Sequence, residues 1–559
     1  MSPITSCVRS CGGVPQLFVN GAPVEGAAYM TYLTEHSHYE AFAKVGYRLF
    51  SIPLFFATHS INAGAQNPPF ATGVFDDTKG ADFSKLDKDV LRIVRACPDA
   101  YVLPRVNVTL PFRWCEENEE ELCDFGFHGL RWPCFASDKW IAEVKRCLAL
   151  LIEHIEAAPY RDRIVGYQLS TGWTEEWICP DRRGAQGARS REKFAALVKK
   201  GEFPNTVPNY YRFLSRTVAE RFCELCSFVK EKTQRRLIVG GFYGYVAELT
   251  NRGDGHHALE TVLNCPDVDF LCSPLCYSFA REVGRDHVNM TALDSLKLHG
   301  KLYFSENDTR THLTKPFCDL PYYQKHVWYG PDKNTAIEAL KMHFSRALTH
   351  GHAFWWFDMW GGWYADETYM HLLSDMRGIA ERALSQNLQS CAELAVVLDE
   401  DAFAEFEDDA PIPRQTVRNM RHTLGFTATP YDVYLASDLP VVKTRYRAFV
   451  LLCPCLTPRL FACIEELKAI DAPYLVISAE NADVTPMQLR DFFGECHITP
   501  RCDKCAVIYE NESYLFLHTT SDEEITLHYD GKLREVFGEE IRFPARPGKG
   551  KSFLFEKIK

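Results

Sequence analysis

One stretch of this sequence ends an apolar, strand-like run in a cluster of polar and ionisable side chains. Residues 301–306 read Lys-Leu-Tyr-Phe-Ser-Glu, and residues 307–312 read Asn-Asp-Thr-Arg-Thr-His. A buried strand that delivers a carboxylate at its C-terminal end is typical of the active-site edge of a parallel α/β barrel. A neighbouring arginine would hold such a carboxyl group ionised, as a nucleophile requires. Glu306 is therefore a candidate nucleophile, with Asp308 and Arg310 as candidate substrate-binding residues. The alternative is a strand that runs into a solvated loop without chemistry.

A second pair of carboxyl groups follows another predicted strand, Ile164–Leu169. Residues 170–177 read Ser-Thr-Gly-Trp-Thr-Glu-Glu-Trp, so Trp173 and Trp177 bracket Glu175 and Glu176. Aromatic walls raise the pKa of a carboxyl group, as a general acid near neutral pH requires. The alternative is a pair of surface glutamates. Two carboxyl groups on facing strand ends, one protonated and one ionised, are the equipment of glycoside hydrolysis, with retention at a separation of roughly 5–5.5 Å.

Four of the 10 tryptophans lie in nine residues after His352 and Ala353, at positions 355, 356, 360 and 363. The apolar face of a sugar ring stacks on indole, so we expect Trp355 and Trp360 to line a pocket. Asp358, in the same stretch, is a candidate acceptor for sugar hydroxyls. The alternative is a tryptophan-rich core strand, which suits Trp356 best.

Further polar residues follow other predicted strands. Arg105 and Asn107 belong to the third strand, and a buried arginine is costly unless it is paired, which favours an ion pair with a catalytic carboxylate. Tyr243 follows the fifth strand, and Ser273 and Tyr277 follow the sixth. We take Arg105, Asn107, Trp173, Glu175 and Tyr277 as candidate substrate-binding residues. Ordinary packing at the mouth of a barrel is the alternative for each.

Metal and cofactor motifs are weak. Cys115, Cys123 and Cys134 fall in one insertion, and Cys179 is a possible fourth ligand for a structural zinc ion, but unliganded reduced thiols are the simpler interpretation. We find no Walker loop, no GxGxxG after a strand, no HExxH motif and no nucleophile elbow. The sequence predicts neither a cofactor nor a catalytic metal.

The hydrophobic pattern predicts three units. Within residues 1–390, eight strands alternate with helices, which indicates a (β/α)8 barrel with an N-terminal hairpin at 15–24. A doubly wound sheet is the alternative. Residues 391–500 repeat the strand–helix alternation on a smaller scale. Residues 501–559 predict short antiparallel strands at 506–509, 513–518, 524–529 and 552–555. The predicted strands of the barrel are Gly26–Tyr29, Tyr47–Phe56, Tyr101–Leu110, Ile164–Leu169, Leu237–Phe242, Val268–Pro274, Lys301–Glu306 and Ala353–Phe357.

Composition narrows the class of protein. The chain has 559 residues, 46% of them hydrophobic and 24% charged, with a formal net charge of −12. That balance is typical of a globular protein and argues against nucleic acid as a partner. The sequence has no run of apolar residues long enough for a membrane span and no signal-peptide pattern at Met1 to Gly13. The 21 cysteines are odd in number and mostly embedded in apolar patterns, which favours reduced thiols and a cytoplasmic location.

These features resemble a known group of enzymes. Glu176 after the fourth strand and Glu306 after the seventh resemble the acid/base and the nucleophile of the retaining (β/α)8 hydrolases of clan A. The order of units is similar to glycoside hydrolase family 42, the β-galactosidases, in which a flavodoxin-like trimerisation domain and a small β domain follow the barrel. Clan A enzymes usually carry Asn-Glu after the fourth strand; here the asparagine is missing and the glutamate is displaced.

The resemblance implies a terminal β-galactosyl substrate within a small oligosaccharide or glycoside, no cofactor, and a homotrimer. It leaves Glu175 and Glu176 as alternatives for the acid/base, with Glu176 preferred because of the adjacent tryptophan. Another sugar, such as a β-glucoside, a β-fucoside or an α-L-arabinopyranoside, is an open alternative. So is a barrel that binds carbohydrate without catalysis.

Overall fold

The computed structural model describes residues 3–58, 72–76, 80–127, 130–172, 174–179, 187–277, 281–315 and 332–558. Within these ranges, no helix combines the length and the apolar character needed to cross a lipid bilayer.

The N-terminal residues form a three-stranded antiparallel sheet of β1 (Ser6–Cys11), β2 (Val14–Val19) and β3 (Ala22–Val24). The predicted hairpin is confirmed, with Asn20 and Gly21 both at positive φ in its turn. The sequence pattern did not predict β1. A second small hairpin, β7 (Leu122–Phe127) and β8 (Leu130–Pro133), lies in the insertion after the third barrel strand.

Eight parallel strands close into a barrel, so the predicted fold class is confirmed and the doubly wound alternative is excluded. The closing pair joins the last strand to the first, with Trp355 opposite Ala28. The strands in order around the barrel are β4 (Ala27–Met30), β5 (Leu49–Phe55), β6 (Tyr101–Asn107), β9 (Gly166–Ser170), β10 (Ile238–Phe242), β11 (Phe270–Pro274), β12 (Leu302–Asn307) and β13 (Ala353–Phe357).

Amphipathic helices cover the outside of the barrel because each presents apolar residues at helical spacing to the strands. Ser137, Thr206 and Asp332 cap the long helices α4, α6 and α9 by accepting a backbone N–H with the side chain. The helices of this part are α1 (Tyr39–Lys44), α2 (Ser84–Ala96), α3 (Phe112–Glu117), α4 (Asp138–Ala157), α5 (Gly187–Lys199), α6 (Val207–Lys232), α7 (Leu259–Leu263), α8 (Leu293–Leu298), α9 (Lys333–His350) and α10 (Glu367–Ala383).

A four-stranded parallel sheet, the second sheet, follows the barrel. Its strands are β14 (Leu394–Leu398), β15 (Tyr431–Leu435), β16 (Ala448–Leu452) and β17 (Tyr474–Ile477), in the spatial order β15-β14-β16-β17. This 2-1-3-4 order is that of a flavodoxin-like sheet, as predicted. The helices around it are α11 (Pro411–Pro413), α12 (Met420–Gly425), α13 (Leu439–Val442), α14 (Pro458–Ala469) and α15 (Pro486–Glu495), with a π-helical turn at Arg414–Asn419.

The last sheet, the C-terminal sheet, is antiparallel, as predicted. It consists of β18 (Ala506–Glu510), β19 (Tyr514–Thr519), β20 (Lys532–Glu535) and β21 (Ser552–Ile558), in the order β18-β19-β21-β20. The predicted strand at 524–529 is wrong. Ile525 and Leu527 make only isolated bridges, to Ala545 and Cys502, and β20 takes the fourth place because it pairs with β21. The unit boundaries at 390/391 and 500/501 stay predictions.

Candidate active site

The C-terminal ends of the barrel strands meet around Arg105, which lies in β6. Its guanidinium group donates to Glu306 Oε2 at 2.9 Å and forms an ion pair with Glu175 Oε2 at 3.3 Å. The carbon of that group lies 4.4 Å from the ring centre of Phe242 and 5.5 Å from that of Phe357. A cation that is 3% exposed is stable there because two carboxylates and aromatic faces replace its water.

Glu306 lies near the end of β12, the seventh barrel strand, where Trp355 and Pro274 are its neighbours on the adjacent strands. Besides Arg105, the indole Nε1 of Trp355 donates to Glu306 Oε2 at 3.2 Å. Burial raises the pKa of Glu306, the charge of Arg105 opposes this shift, and the charges of Asp308 and Glu176 add to it. Two donors on one oxygen favour the ionised carboxylate over the protonated acid.

Glu175 and Glu176 follow β9, the fourth barrel strand, in a tight loop. Thr174, Glu175 and Trp177 all have positive φ, between 54° and 71°. Gly172 also has a positive φ, and a Cβ atom there would lie 2.5 Å from the Ile178 carbonyl oxygen, so this position requires glycine. The left-handed backbone sends neighbouring side chains in different directions.

Glu175 points into the protein. Its Oε1 accepts from Asn107 Nδ2 at 3.0 Å, and its Oε2 accepts from the Tyr32 hydroxyl at 2.8 Å, in addition to the ion pair with Arg105. Burial raises the pKa of Glu175, and Arg105 opposes this shift. Both oxygens are therefore occupied by protein donors, an arrangement suited to positioning and poorly suited to proton transfer.

Glu176 is partly exposed. Its carboxyl group accepts from the Thr174 hydroxyl and, at 3.0 Å, from the Tyr245 hydroxyl. Displacement of water by the surrounding protein raises the pKa of Glu176 to about 7, against the effect of these two hydrogen bonds. Trp177 does not form a wall beside Glu176: it is fully buried, donates to the Leu169 carbonyl and packs against Phe135.

Asp308 is buried two residues beyond Glu306 and forms an ion pair with Arg281, from the loop after β11. The Arg281 guanidinium lies 4.6 Å above the ring of Tyr277, which is partly exposed. Arg310 lies over the ring of Trp363 at 5.9 Å. Burial raises the pKa of Tyr277, and the charges of Asp308, Glu176 and Glu306 raise it further.

The aromatic residues within and after β13 divide between the mouth of the barrel and its interior. Trp355 contacts Glu306, and Trp360 packs on Tyr32 with 5.9 Å between ring centres. Trp356 is buried and donates to the Tyr47 hydroxyl at 2.8 Å. Trp173 lies outside the described residues.

Asp358 is directed away from the mouth. It is fully buried, its Oδ2 accepts from the Tyr29 hydroxyl, and its Oδ1 accepts from the Trp363 backbone N–H, both at 2.8 Å. With both oxygens engaged, Asp358 holds the loop after β13, and its predicted contact with sugar hydroxyls finds no support in this geometry.

Sequence reasoning missed three residues of this site: Tyr32, Tyr245 and Arg281. Each lies a few residues beyond a barrel strand, which is the signal that could have indicated them. After the fifth strand the sequence pointed instead to Tyr243, whose hydroxyl donates to the Ser215 and Gly255 carbonyls.

Of the four cysteines considered as zinc ligands, Cys123 and Cys134 are neighbours in one small buried cluster. Cys134 contacts the Ser190 hydroxyl at 3.1 Å, and Cys179 packs near Gly255. In the described part of the chain, no three His, Cys, Asp or Glu side chains group as a metal site would require.

Comparison with known proteins gives structural matches only. No family model and no curated protein matches this chain. A catalytic mutant of a GH42 β-galactosidase from G. stearothermophilus matches with a TM-score of 0.62 at 12% identity, covering 99% of both chains. The cold-adapted β-galactosidase of a Rahnella species matches with a TM-score of 0.59 at 11% identity, covering 95% of this chain and 98% of that one.

A third match is the apo exo-carrageenase GH42 from Bacteroides ovatus, with a TM-score of 0.59 at 11% identity over 99% of this chain and 84% of that one. At these identities the likeness is one of fold. Over nearly its whole length, this chain has the fold of the glycoside hydrolase family 42 β-galactosidases.

Proposed function

We propose that this protein is a retaining, exo-acting glycoside hydrolase that releases terminal β-D-galactose, with Glu306 as nucleophile and Glu176 as acid/base. The observation that carries the proposal is the pair of carboxyl groups at the ends of the fourth and seventh barrel strands. The charge of Glu176 shifts the pKa of Glu306, so the two groups share one electrostatic environment.

Glu306 suits the nucleophile because Arg105 and Trp355 donate to its Oε2. Glu176 suits the acid/base because it is partly exposed, its hydrogen-bond donors are neutral hydroxyls, and its pKa is raised to about 7. Burial raises the pKa of both carboxyl groups, but only Glu306 has a cationic donor, Arg105, so on this geometry we assign the proton to Glu176 and the charge to Glu306.

The reaction then proceeds in two displacements. Glu306 attacks the anomeric carbon while Glu176 gives its proton to the glycosidic oxygen, so the C–O bond breaks and a glycosyl ester forms on Glu306. Glu176, now a carboxylate, removes a proton from water, which attacks the same carbon and releases Glu306. Two inversions leave the sugar with its original anomeric configuration.

The other groups at the mouth orient the sugar. The proposed contacts of the sugar are Trp355, Trp360, Asp308 and Arg310, which are buried at the strand ends, Tyr277, which is partly exposed, and Trp173 from the sequence. Glu175 and Asn107 act through the hydrogen-bonded network that holds Arg105. The named activities of the first two structural matches support galactose, and the exo-carrageenase supports testing other sugars. A homotrimer and a cytoplasmic location accompany this proposal.

A panel of aryl β-glycosides tests the proposal. We expect turnover to be highest with an aryl β-galactoside and the product to form with retention. Glu306→Gln should abolish this turnover without unfolding the protein, whereas Glu220→Gln, on the exposed face of α6, should not change it. Activity of wild-type level in Glu306→Gln would reject the nucleophile.

Azide separates the two candidates for the acid/base. Glu176→Ala should retain more activity on substrates with good leaving groups, which need little protonation, and should give a β-galactosyl azide. If Glu175→Ala behaves in this way and Glu176→Ala does not, the roles are reversed.

A further inference from the structure

The segment Arg281–Asn289, here called the β11 loop, connects the barrel mouth with the C-terminal sheet. It follows β11 and returns to it: the backbone N–H of Cys276 donates to the Val288 carbonyl at 3.0 Å, and Leu275 pairs with Asn289. One end of this loop therefore lies at the proposed active site while its middle lies farther out.

At the mouth, Arg281 uses all three guanidinium nitrogens. Nη1 bonds Asp308 and, at 3.2 Å, the Thr309 hydroxyl; Nε and Nη2 donate to the backbone carbonyls of Cys276 and Leu275. Arg281 thereby forms an ion pair with Asp308, and the charge of Asp308 raises the pKa of Glu306. The position of Arg281 consequently affects the ionisation of the proposed nucleophile.

Away from the mouth, the β11 loop is held by the C-terminal sheet. The Tyr509 hydroxyl, from β18, and Arg346, from α9, both bond Asp286 Oδ1, and the guanidinium of Arg346 lies 4.0 Å over the Tyr509 ring. The backbone N–H of Gly284 donates to His518 Nε2, in β19, at 2.6 Å.

His518 is hydrogen-bonded through both of its ring nitrogens. Burial lowers the pKa of His518 to about 3, so the ring is neutral, and its Nδ1 lies 2.9 Å from the Ser552 hydroxyl. Because Nε2 accepts from Gly284, Nδ1 carries the proton and donates to Ser552. A Cβ atom on Gly284 would lie 2.6 Å from the Lys549 side chain, so sheet and loop are in close contact.

A helix of the second sheet, α12, also contacts the β11 loop. Arg421, on α12, donates to the Asn289 carbonyl, and a Cβ atom on Gly425 would overlap the Asp286 carboxyl group. On the barrel side, His287 contacts His343 at 2.9 Å, and His343 contacts the Thr309 hydroxyl at 3.3 Å. The loop is thus anchored along its length by buried polar contacts, which fix geometry more sharply than apolar packing does.

We propose that the C-terminal sheet is a positioning element of the active site, with Tyr509 and His518 as positioning residues that act through the β11 loop and Arg281 on Asp308. The kinetic part of this inference rests on the proposed function. Its structural part, the dependence of the loop on the sheet, does not.

The structural part is tested by hydrogen–deuterium exchange of the full chain. Tyr509→Phe keeps the ring over Arg346 and removes only the hydroxyl. Tyr514→Phe is the matched control, because Tyr514 is equally buried in the same sheet and its hydroxyl interacts with Gln386 instead of the loop. His518→Leu removes the acceptor for Gly284 and serves as a second variant.

In Tyr509→Phe and His518→Leu we expect amides of residues 281–289 to exchange about tenfold to hundredfold faster, the equilibrium equivalent of a lost hydrogen bond to a charged or buried group. Tyr514→Phe should leave those amides unchanged. Unchanged exchange of residues 281–289 in both Tyr509→Phe and His518→Leu would overturn the proposal, whether or not the protein hydrolyses glycosides.

The kinetic part is tested with a double-mutant cycle on an aryl glycoside. Tyr509→Phe should lower kcat more than it raises KM, and it should move the acidic limb of the pH–kcat/KM profile to higher pH, because Asp308 is less well neutralised. In an Asp308→Asn background the same substitution should have no further effect on that limb. Equal shifts of the acidic limb in both backgrounds would refute action through Asp308. If the wild-type protein had no glycosidase activity, the proposed function would be refuted, and the hydrogen–deuterium exchange result would still decide the structural part.

Discussion

Replacing Arg105 with methionine removes the charge that two buried carboxylates share at the barrel mouth. Methionine is an unbranched side chain that is shorter than arginine, and the site offers it apolar surroundings: the Met30 sulfur, which lies 3.5 Å from Arg105 Nη1, and the rings of Tyr32, Phe242 and Phe357. The side chain therefore fits, and the perturbation is mainly electrostatic. Glu175 and Glu306 lose their only cationic partner among the described residues.

The magnitude follows from the cost of burying or protonating these carboxyl groups. Instead of staying charged, each can take up a proton, which at pH 7 costs about 3.7 kcal/mol relative to an unfolded glutamate with a pKa near 4.3, so the two together set an upper limit of about 7 kcal/mol. Breaking a buried ion pair by removing one partner typically costs about 3–5 kcal/mol, which agrees with this limit. We expect Arg105→Met to lower the free energy of unfolding by about 3–5 kcal/mol at pH 7.

The loss should depend on pH with a defined sign. In the variant, the folded-state pKa values of Glu175 and Glu306 rise further above their unfolded values. A carboxyl group whose folded-state pKa is raised contributes its full stability below the unfolded pKa, and this contribution is lost as pH rises towards the folded pKa. Because burial already raises both pKa values in the wild type, the difference between wild type and variant should be small near pH 4.5 and should grow as pH rises through those wild-type values.

Urea unfolding of both proteins across this pH range measures the difference. A matched variant that combines Arg105→Met with Glu175→Gln and Glu306→Gln should show no such growth with pH, because no carboxyl group remains to titrate. A stability loss in Arg105→Met that is the same at pH 4.5 and pH 7 would refute the electrostatic reasoning and point to packing instead.

Two further predictions concern activity. Glu176 acts in its protonated form and its pKa is raised to about 7, so kcat/KM should fall as pH rises above about 7. If this fall persists in Glu176→Gln, assayed on a substrate with a good leaving group, another residue is responsible for it. Trp355→Phe removes the indole donor to Glu306, so kcat should fall roughly tenfold or more, and the acidic limb should move to higher pH. Trp356→Phe is the control and should leave the pH profile unchanged, because the Trp356 indole N–H bonds the Tyr47 hydroxyl and not Glu306.

Local sequence patterns were sufficient to predict the barrel and the edge at which its mouth lies. Each barrel strand is a short apolar run bounded by polar or turn residues, and burial on both faces makes such runs recognisable without a partner strand. Counting them placed Glu306 after the seventh strand and Glu176 after the fourth. The prediction of a strand at 524–529 was wrong because an alternating pattern of residues does not specify whether a partner strand is present.

Only the tertiary structure decided what the individual side chains contact. Glu175 and Glu176 are adjacent in sequence and of the same residue type. The left-handed backbone at Thr174 and Glu175 nevertheless turns Glu175 to Tyr32, 143 residues away, and Glu176 to Tyr245. Asp358, chosen for its position among tryptophans, bonds Tyr29 instead. The sequence by itself placed Glu175, Glu176 and Glu306 at the ends of barrel strands, because strand order depends on local hydrophobic patterns. Which carboxyl groups reach the mouth, which is engaged by Arg105 and which faces solvent depends on contacts between distant strands, and no local pattern encodes these.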